Sequence, residues 1–146
     1  MSDRELNTKL TVFTFETLMR VRSAEVEGGY LTLEALVVLL KEVRARFLYA
    51  KGIPNINTDH QGLIVNHLQL SVLSRVQVRE ALLFEVGVEQ LSDKEAMIAI
   101  KVSRMHDGSR VAIAREHIVN YDYRLNKVTT ITIDMQEKLS PASFGI

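Results

Sequence analysis

The strongest hydrophobic pattern in the chain is helical and covers residues 32–52. Apolar side chains recur there at steps of three and four residues, the spacing of one face of an α-helix. The members of this face are Leu33, Leu36, Leu40, Val43 and Phe47. Val37, Val38 and Leu39 add apolar side chains to the remaining faces of the first half. Because a helix that is apolar on nearly all sides is typical of a protein interior, we predict one long buried helix.

Both ends of this helix carry boundary signals. Thr32 is typical of an N-cap, and Glu34 places a carboxylate in the first turn, where the positive end of the helix dipole favours it. Gly52 suits a left-handed position at the C-terminus, and Pro54 cannot continue a helix. The helix is therefore predicted to extend from Thr32 to Gly52.

Outside the helix, the pattern has the two-residue period of β-strands. Residues 10–22 are rich in Thr, Val and Phe and alternate apolar with polar side chains. Four strand-like runs follow the helix, at residues 63–76, 82–90, 95–105 and 110–123, and residues 128–133 form a short last strand or the start of a helical turn. The pair Asp107-Gly108, just before the fourth run, is typical of a tight hairpin turn.

This order of elements predicts an α+β domain. We expect an antiparallel five- to six-stranded sheet wrapped around the long buried helix. The 146 residues suffice for a single domain, with a polar arm at residues 1–9, a core at 10–133 and a C-terminal tail at 134–146. Residues 110–123 carry apolar side chains on both faces, which favours a second covering surface such as another subunit.

Two segments lack either period and are predicted to be irregular, residues 23–31 and residues 54–62. The first carries Glu25 and Glu27 and then Gly28-Gly29, directly before the helix. Glycine allows close approach of another group to the main chain. Acidic side chains beside a helix N-terminus are therefore candidates for a chemical role.

The composition excludes several classes of function. Lys plus Arg number 18 and Asp plus Glu number 18, so the formal charge is zero, which argues against nucleic-acid binding. The chain has no cysteine, no basic amphipathic helix for a membrane surface and no apolar run of membrane-spanning length. The four histidines lack ligand-like spacing, so no metal site is predicted. The polar N-terminus and the absence of cysteine favour a cytoplasmic protein.

The landmarks of the chain resemble those of the hotdog fold, and within it the acyl-CoA thioesterases of the 4-hydroxybenzoyl-CoA thioesterase type. The resemblance covers residues 10–131: a strand, a glycine-containing link, a long helix ending near A-R-x-x-F-L, and a hairpin run with a D-G turn. The matching segments here are VRARFLYAKGI at residues 43–53 and RMHDGSRVAIAREHIVNYDYRLNKVTTI from residue 104. The resemblance implies hydrolysis of an acyl-CoA, with coenzyme A as part of the substrate, no separate cofactor, and assembly as a dimer or tetramer.

The resemblance also implies catalytic residues, although the key motif differs. The family usually has D-x-x-G before the helix, and alignment on Gly29 without gaps places Val26 at the Asp position. A shift of one residue, as at a bulge, brings Glu25 or Glu27 there. A second subgroup carries a catalytic Glu on the helix, for which Glu34 is the nearest analogue.

The expected chemistry uses a helix N-terminus to stabilise an oxyanion and a carboxylate to activate water or attack the thioester. Backbone amides from Gly29, Tyr30 and Leu31 and from the first helical turn are predicted to bind the acyl carbonyl. Arg75 and Arg79 follow the first strand after the helix, where the family places basic groups near coenzyme A phosphates. Two alternatives remain open: a hotdog protein that binds an acyl thioester without hydrolysing it, and, ranked last, a hydratase or dehydratase.

Overall fold

The computed structural model of the protein describes residues 11–140. The predicted polar arm at 1–9, the first predicted strand residue, Leu10, and residues 141–146 of the predicted tail lie outside the described residues. The elements are β1 (Phe15–Arg20), β2 (Val26–Glu27), β3 (Tyr30–Leu31), α1 (Leu33–Ala50), β4 (Gln61–Val72), β5 (Ala81–Leu91), β6 (Ala96–Arg104), β7 (Arg110–Asp122), β8 (Lys127–Thr129) and α2 (Ile133–Leu139).

Six strands form one antiparallel sheet in the order β1-β5-β6-β7-β4, with β8 paired to the end of β7. The strands β5, β6 and β7 follow one another through hairpins, so chain neighbours are also sheet neighbours. The strand β4, directly after the helix, crosses to the far side of β7 and becomes an edge strand. This is the predicted α+β architecture with a sheet of five to six strands.

The helix α1 packs into this sheet along one face. Thr32 is the N-cap, Lys51 is the C-cap and Gly52 follows with a φ of 75°, so the 18-residue helix is shorter than the predicted stretch 32–52. Its buried side chains are Leu36, Leu39, Leu40, Val43, Phe47 and Leu48. They contact the inward side chains of the sheet, such as Phe84 and Ile100, in a single core.

The prediction that Val37 and Val38 close the other faces of the helix is wrong for the single chain. Val38 is 62% exposed and Leu33 is 55% exposed, so α1 has a second apolar face open to solvent. The reason is that the sheet curves around one side of the helix only. An exposed apolar helix face of this kind is typical of a contact surface.

Three segments differ from the sequence-based boundaries. The strand after the helix ends at Val72, and residues 73–80 form a loop although Val76 is buried. Residues 23–31 contain a 3-10 turn and a hairpin rather than an irregular link. Residues 133–139, most of which were assigned to the tail, form α2, which buries Met135 and Leu139 in the core.

Candidate active site at the helix N-terminus

A two-residue hairpin turn positions the first candidate carboxylate. Gly28 and Gly29 have φ values of 61° and 86°, the conformation of a type I′ turn, which joins β2 to β3 with little steric cost because neither residue has a side chain. In this register Glu27 pairs with Tyr30. Cross-strand partners share one face of a hairpin, so the turn places Glu27 and Tyr30 side by side.

That face borders a cavity of about 460 Å³ beside the first turn of α1. Aliphatic side chains from the helix, from β4 and β7 and from the 73–80 loop form most of its wall, and Glu27, Tyr30 and Arg75 supply polar groups. The lining residues are Glu27, Tyr30, Leu31, Thr32, Leu33, Leu36, Val72, Ser74, Arg75, Val76 and Val111. The Arg75 guanidinium lies 5.2 Å from the centroid of the Tyr30 ring, a cation–π contact that orders both side chains.

The start of α1 borders this cavity through Thr32, Leu33 and Leu36. An α-helix leaves its first amides without acceptors inside the helix. The Thr32 hydroxyl accepts from the Ala35 amide at 3.0 Å, and the Leu36 amide donates to the Thr32 carbonyl at 3.0 Å. Within residues 11–140, no acceptor takes up the remaining amides of the first turn, those of Leu33 and Glu34. Two amide donors and the positive end of the helix dipole therefore lie in the turn whose residues Thr32 and Leu33 line the cavity.

The Leu31 amide, predicted to bind the acyl carbonyl, donates instead to a carbonyl of the protein, as does the neighbouring Thr32 amide. The Leu31 amide donates to the Val76 carbonyl at 2.7 Å, and the Thr32 amide donates to the Glu25 carbonyl at 3.1 Å. These bonds fix the hairpin to the 73–80 loop and to the 3-10 turn. The side chains of Tyr30 and Leu31 line the cavity, whereas Gly29 lies at the exposed tip of the hairpin and does not.

Glu25 is held in a structural contact. Its side chain is 9% exposed and accepts hydrogen bonds from the Arg22 backbone amide at 2.7 Å and from the Arg22 guanidinium at 3.1 Å. Burial alone would raise the pKa of the Glu25 carboxyl, but the hydrogen bonds and charge of Arg22 outweigh it and hold the pKa below its ordinary value. Glu25 does not line the cavity. Its contacts fit a residue that anchors the 3-10 turn before the helix.

The remaining predicted residues, Arg75, Glu34 and Arg79, differ in whether they line the cavity. Arg75 lines the cavity. Glu34 is exposed in the first turn of α1 and does not line the cavity. Arg79 also lies outside it: its amide donates to the Val21 carbonyl at 2.7 Å, and its own carbonyl accepts from Arg20.

Sequence reasoning missed the wall opposite the helix. Ser74, Val76 and Val111 come from the 73–80 loop and the start of β7, and the apolar pattern predicted a strand as far as residue 76. The signal that could have located this wall is Ser74-Arg75, a polar pair that interrupts the alternation after Val72. Val26, at the position of the family Asp, is partly buried against the core, so the cavity carboxylate is the next residue, Glu27.

Two features, a cluster of metal ligands and a membrane-spanning helix, are absent from residues 11–140. Within residues 11–140, no three His, Asp or Glu side chains lie close enough together to hold a metal ion. In the same part of the chain, neither helix has the length and apolar character needed to cross a membrane.

Comparisons with known proteins identify the fold. No family model matches the sequence, and no curated protein matches it. Solved structures match well at low identity. The 1,4-dihydroxy-2-naphthoyl-CoA thioesterase Slr0204 from Synechocystis superposes with a TM-score of 0.77 at 16% identity, covering 86% of this chain and 94% of that one.

Two further solved structures also superpose well on this chain. The protein SAV2348 from Staphylococcus aureus, solved in complex with CoA, has a TM-score of 0.79 at 10% identity and covers 91% of this chain and 85% of its own. The gentisyl-coenzyme A thioesterase BH1999 has a TM-score of 0.77 at 14% identity and covers 86% of this chain and 100% of its own. The predicted hotdog fold is thereby confirmed.

Proposed function

We propose that this protein is an acyl-CoA thioesterase, which hydrolyses an acyl-CoA thioester to a free acid and coenzyme A. The observation that carries the proposal is that Glu27 and the start of α1, where the Leu33 and Glu34 amides have no acceptor among the described residues, border one largely apolar cavity. The named thioesterases among the structural neighbours support the same chemistry. Coenzyme A enters as part of the substrate, and the reaction uses no other cofactor.

In the proposed reaction the acyl chain lies against the aliphatic wall, and the thioester carbonyl points at the helix start. Glu27 takes a proton from a water molecule, whose oxygen attacks the carbonyl carbon. The amides of Leu33 and Glu34 stabilise the oxyanion that forms, because a helix N-terminus favours negative charge without reorganisation. The carbon–sulfur bond then breaks, and the coenzyme A thiolate leaves.

We propose that a second copy of the chain completes the site. Val72 ends the edge strand β4 at the cavity and is 48% exposed, and Leu33 on the opposite rim is also largely exposed. An edge strand of 12 residues, which pairs with β7 on one side, is a natural place for pairing with another copy. Sedimentation velocity should therefore give a dimer or tetramer of the 16.5 kDa chain. A fully active monomer would contradict this part of the proposal.

The experiment that tests the function follows thiol release from a panel of aliphatic and aromatic acyl-CoAs. Wild-type protein should turn over at least one member, and Glu27→Gln should lose about a hundredfold or more in kcat, the size of a general-base contribution. Glu34→Gln is the matched control, because that carboxylate lies in the first turn of α1 but does not line the cavity. Full activity in Glu27→Gln would refute the assignment of the base.

A second candidate function is acyl-thioester binding without hydrolysis. It is favoured by Val26, which stands at the position of the family Asp and packs against the core. Saturable binding of acyl-CoA with no thiol release across the panel would establish this alternative.

A further inference from the structure

The loop at residues 73–80 forms one wall of the cavity, through Ser74, Arg75 and Val76. A loop wall held by one isolated β-bridge, between Gln77 and Tyr30, and not by a sheet ladder is open to local fluctuation. The middle of the loop is attached to β3, because the Leu31 amide donates to the Val76 carbonyl at 2.7 Å, and its start is attached to β7, because the Leu73 amide donates to the Val111 carbonyl at 2.7 Å. The position of the wall therefore depends on what holds the rest of the loop.

The guanidinium of Arg104, at the end of β6, contacts both ends of this loop. Its Nε donates to Glu80 Oε1 at 3.0 Å, at the far end of the loop. Its Nη1 donates to the Ser74 hydroxyl at 2.9 Å, and its Nη2 donates to the Arg75 carbonyl, at the near end. A planar guanidinium offers five donors in a fixed arrangement, so one side chain bridges the two ends of the loop, in addition to the main-chain bonds that hold each end to Val111 and Val21.

The partners of Arg104 are themselves fixed. Glu80 Oε2 accepts from the Gln77 amide at 2.7 Å, which closes the middle of the loop. The Ser109 hydroxyl accepts from Arg104 Nη1 at 3.1 Å, which ties the cluster to the turn between β6 and β7. Both charged side chains are largely buried, at 15% exposed for Arg104 and 21% for Glu80, so the pair is shielded from solvent screening better than a surface ion pair.

We infer that Arg104 is a positioning residue for the cavity: it holds the Ser74–Val76 wall at the distance from the helix N-terminus that acyl-thioester binding requires. Arg104 itself does not line the cavity, so it acts through Ser74, Arg75 and Glu80. The inference rests on the proposed function for its kinetic consequence, but its structural consequence is independent of activity.

The chain offers a matched control in Arg115. Arg115 on β7 pairs with Glu89 at 2.6 Å, and the two side chains are 14% and 16% exposed, which resembles the burial of the Arg104–Glu80 pair. Neither Arg115 nor Glu89 lines the cavity. Arg115→Ala therefore removes a comparable ion pair without loosening the wall.

The test combines kinetics with hydrogen exchange on Arg104→Ala, Arg104→Lys and Arg115→Ala. Arg104→Ala should lose about ten- to a hundredfold in kcat/KM, chiefly as a raised KM, because a displaced wall misplaces the bound substrate. Arg104→Lys should be intermediate, since an ammonium cannot reproduce the fork. Arg115→Ala should keep its KM. An unchanged KM in Arg104→Ala, or an equal rise in Arg115→Ala, overturns the inference.

Hydrogen exchange separates failure of this inference from failure of the proposed function. The amides of Leu31 and Gln77 should exchange faster in Arg104→Ala than in the wild type and should be unaffected in Arg115→Ala, whether or not the protein hydrolyses thioesters. If Arg104→Ala does not yield folded protein, Glu80→Gln serves instead, because it keeps the acceptor for Nε and removes the charge. Unchanged protection of both amides in every Arg104 and Glu80 variant overturns the inference.

Discussion

Replacing Arg44 by methionine should destabilise the protein far more than replacing Arg46, two residues further along the same helix. Glu116 on β7 faces α1 and is 2% exposed, and its Oε2 accepts from Arg44 Nη1 at 2.8 Å. Within the described residues, its other oxygen, Oε1, has no hydrogen-bond partner. Arg44 is therefore the group that compensates a buried carboxylate.

The magnitude of the destabilisation follows from the buried charge that remains after the substitution of Arg44. Arg44→Met leaves the Glu116 carboxylate buried without a counter-charge, which costs about 3–5 kcal/mol in the free energy of unfolding. For a chain of this size the melting temperature should fall by about 10 °C or more. Arg46→Met breaks an exposed pair with Glu42, which is worth about 1 kcal/mol or less, and exposed hydrogen bonds to Thr17 and Leu18 on β1, and it leaves no buried charge. Urea denaturation of the two variants measures the difference directly.

A double variant and a pH series complete this test. Arg44→Met/Glu116→Leu removes both charges and should recover most of the loss, since a buried pair exchanged for apolar side chains is often close to neutral. Burial raises the pKa of Glu116 despite the charge of Arg44. A carboxyl whose folded pKa is raised stabilises the fold in its protonated form and loses that stability as pH rises through the folded pKa. Arg44→Met should therefore regain stability as the pH is lowered from 8 to 5. A loss below about 1 kcal/mol at pH 8 would refute the reasoning.

Two further substitutions test local geometry by urea denaturation. Thr32→Ala removes the hydroxyl that caps the Ala35 amide and should cost about 1 kcal/mol, whereas Thr32→Ser should cost little; equal losses in both would contradict the capping role. In Gly62→Ala the new Cβ would lie 2.0 Å from the Asn55 carbonyl oxygen. In Gly108→Ala no atom lies within 4 Å of the new Cβ, and only the positive φ is strained, which costs about 1–2 kcal/mol. The loss of stability in Gly62→Ala should therefore be the larger of the two, and a smaller loss there would contradict the close approach.

The main elements of the fold could be predicted because each has its own period. The three- and four-residue spacing from Leu33 to Phe47 marks α1, alternation marks β5, and apolar runs bounded by turn residues mark β6 and β7. The prediction failed where apolar residues continue beyond an element. Val76 fits the alternation of β4, but the ladder with β7 ends at Val72, paired with Ala112, and the chain then turns into a loop that buries Val76 for a different reason.

Tertiary contacts decide which apolar side chains of a helix are buried, and the sequence pattern does not contain that information. Val37 and Val38 are as apolar as Leu39, yet only Leu39 faces the sheet, because the direction of the face depends on which strands surround the helix. The helix α2 is short, and Met135 and Leu139 are its two buried positions, too few to show a period.

The sequence predicts a candidate site at the helix N-terminus but does not identify which carboxylate lines the cavity. Glu25, Glu27 and Glu34 all precede or open the helix, and the sequence does not say which of them faces a cavity. The turn at Gly28-Gly29 carries that information, since a two-residue type I′ turn fixes the register and puts Glu27 beside Tyr30. The opposite wall could not be predicted, because it comes from a loop more than forty residues away in sequence that Arg104 holds in place.

The central claim is that the first amides of α1 and the Glu27 carboxylate together bind a thioester in one cavity. The most direct measurement is a titration of isotope-labelled protein with a thioether analogue of acyl-CoA that keeps the carbonyl and cannot be hydrolysed, followed by amide chemical shifts. We expect saturable chemical-shift changes at the amides of Leu33 and Glu34, and smaller changes at the same amides in Glu27→Gln. The Ala35 amide should change little, because it already donates to the Thr32 hydroxyl. Saturable binding that leaves the Leu33 and Glu34 amides unshifted would contradict the central claim.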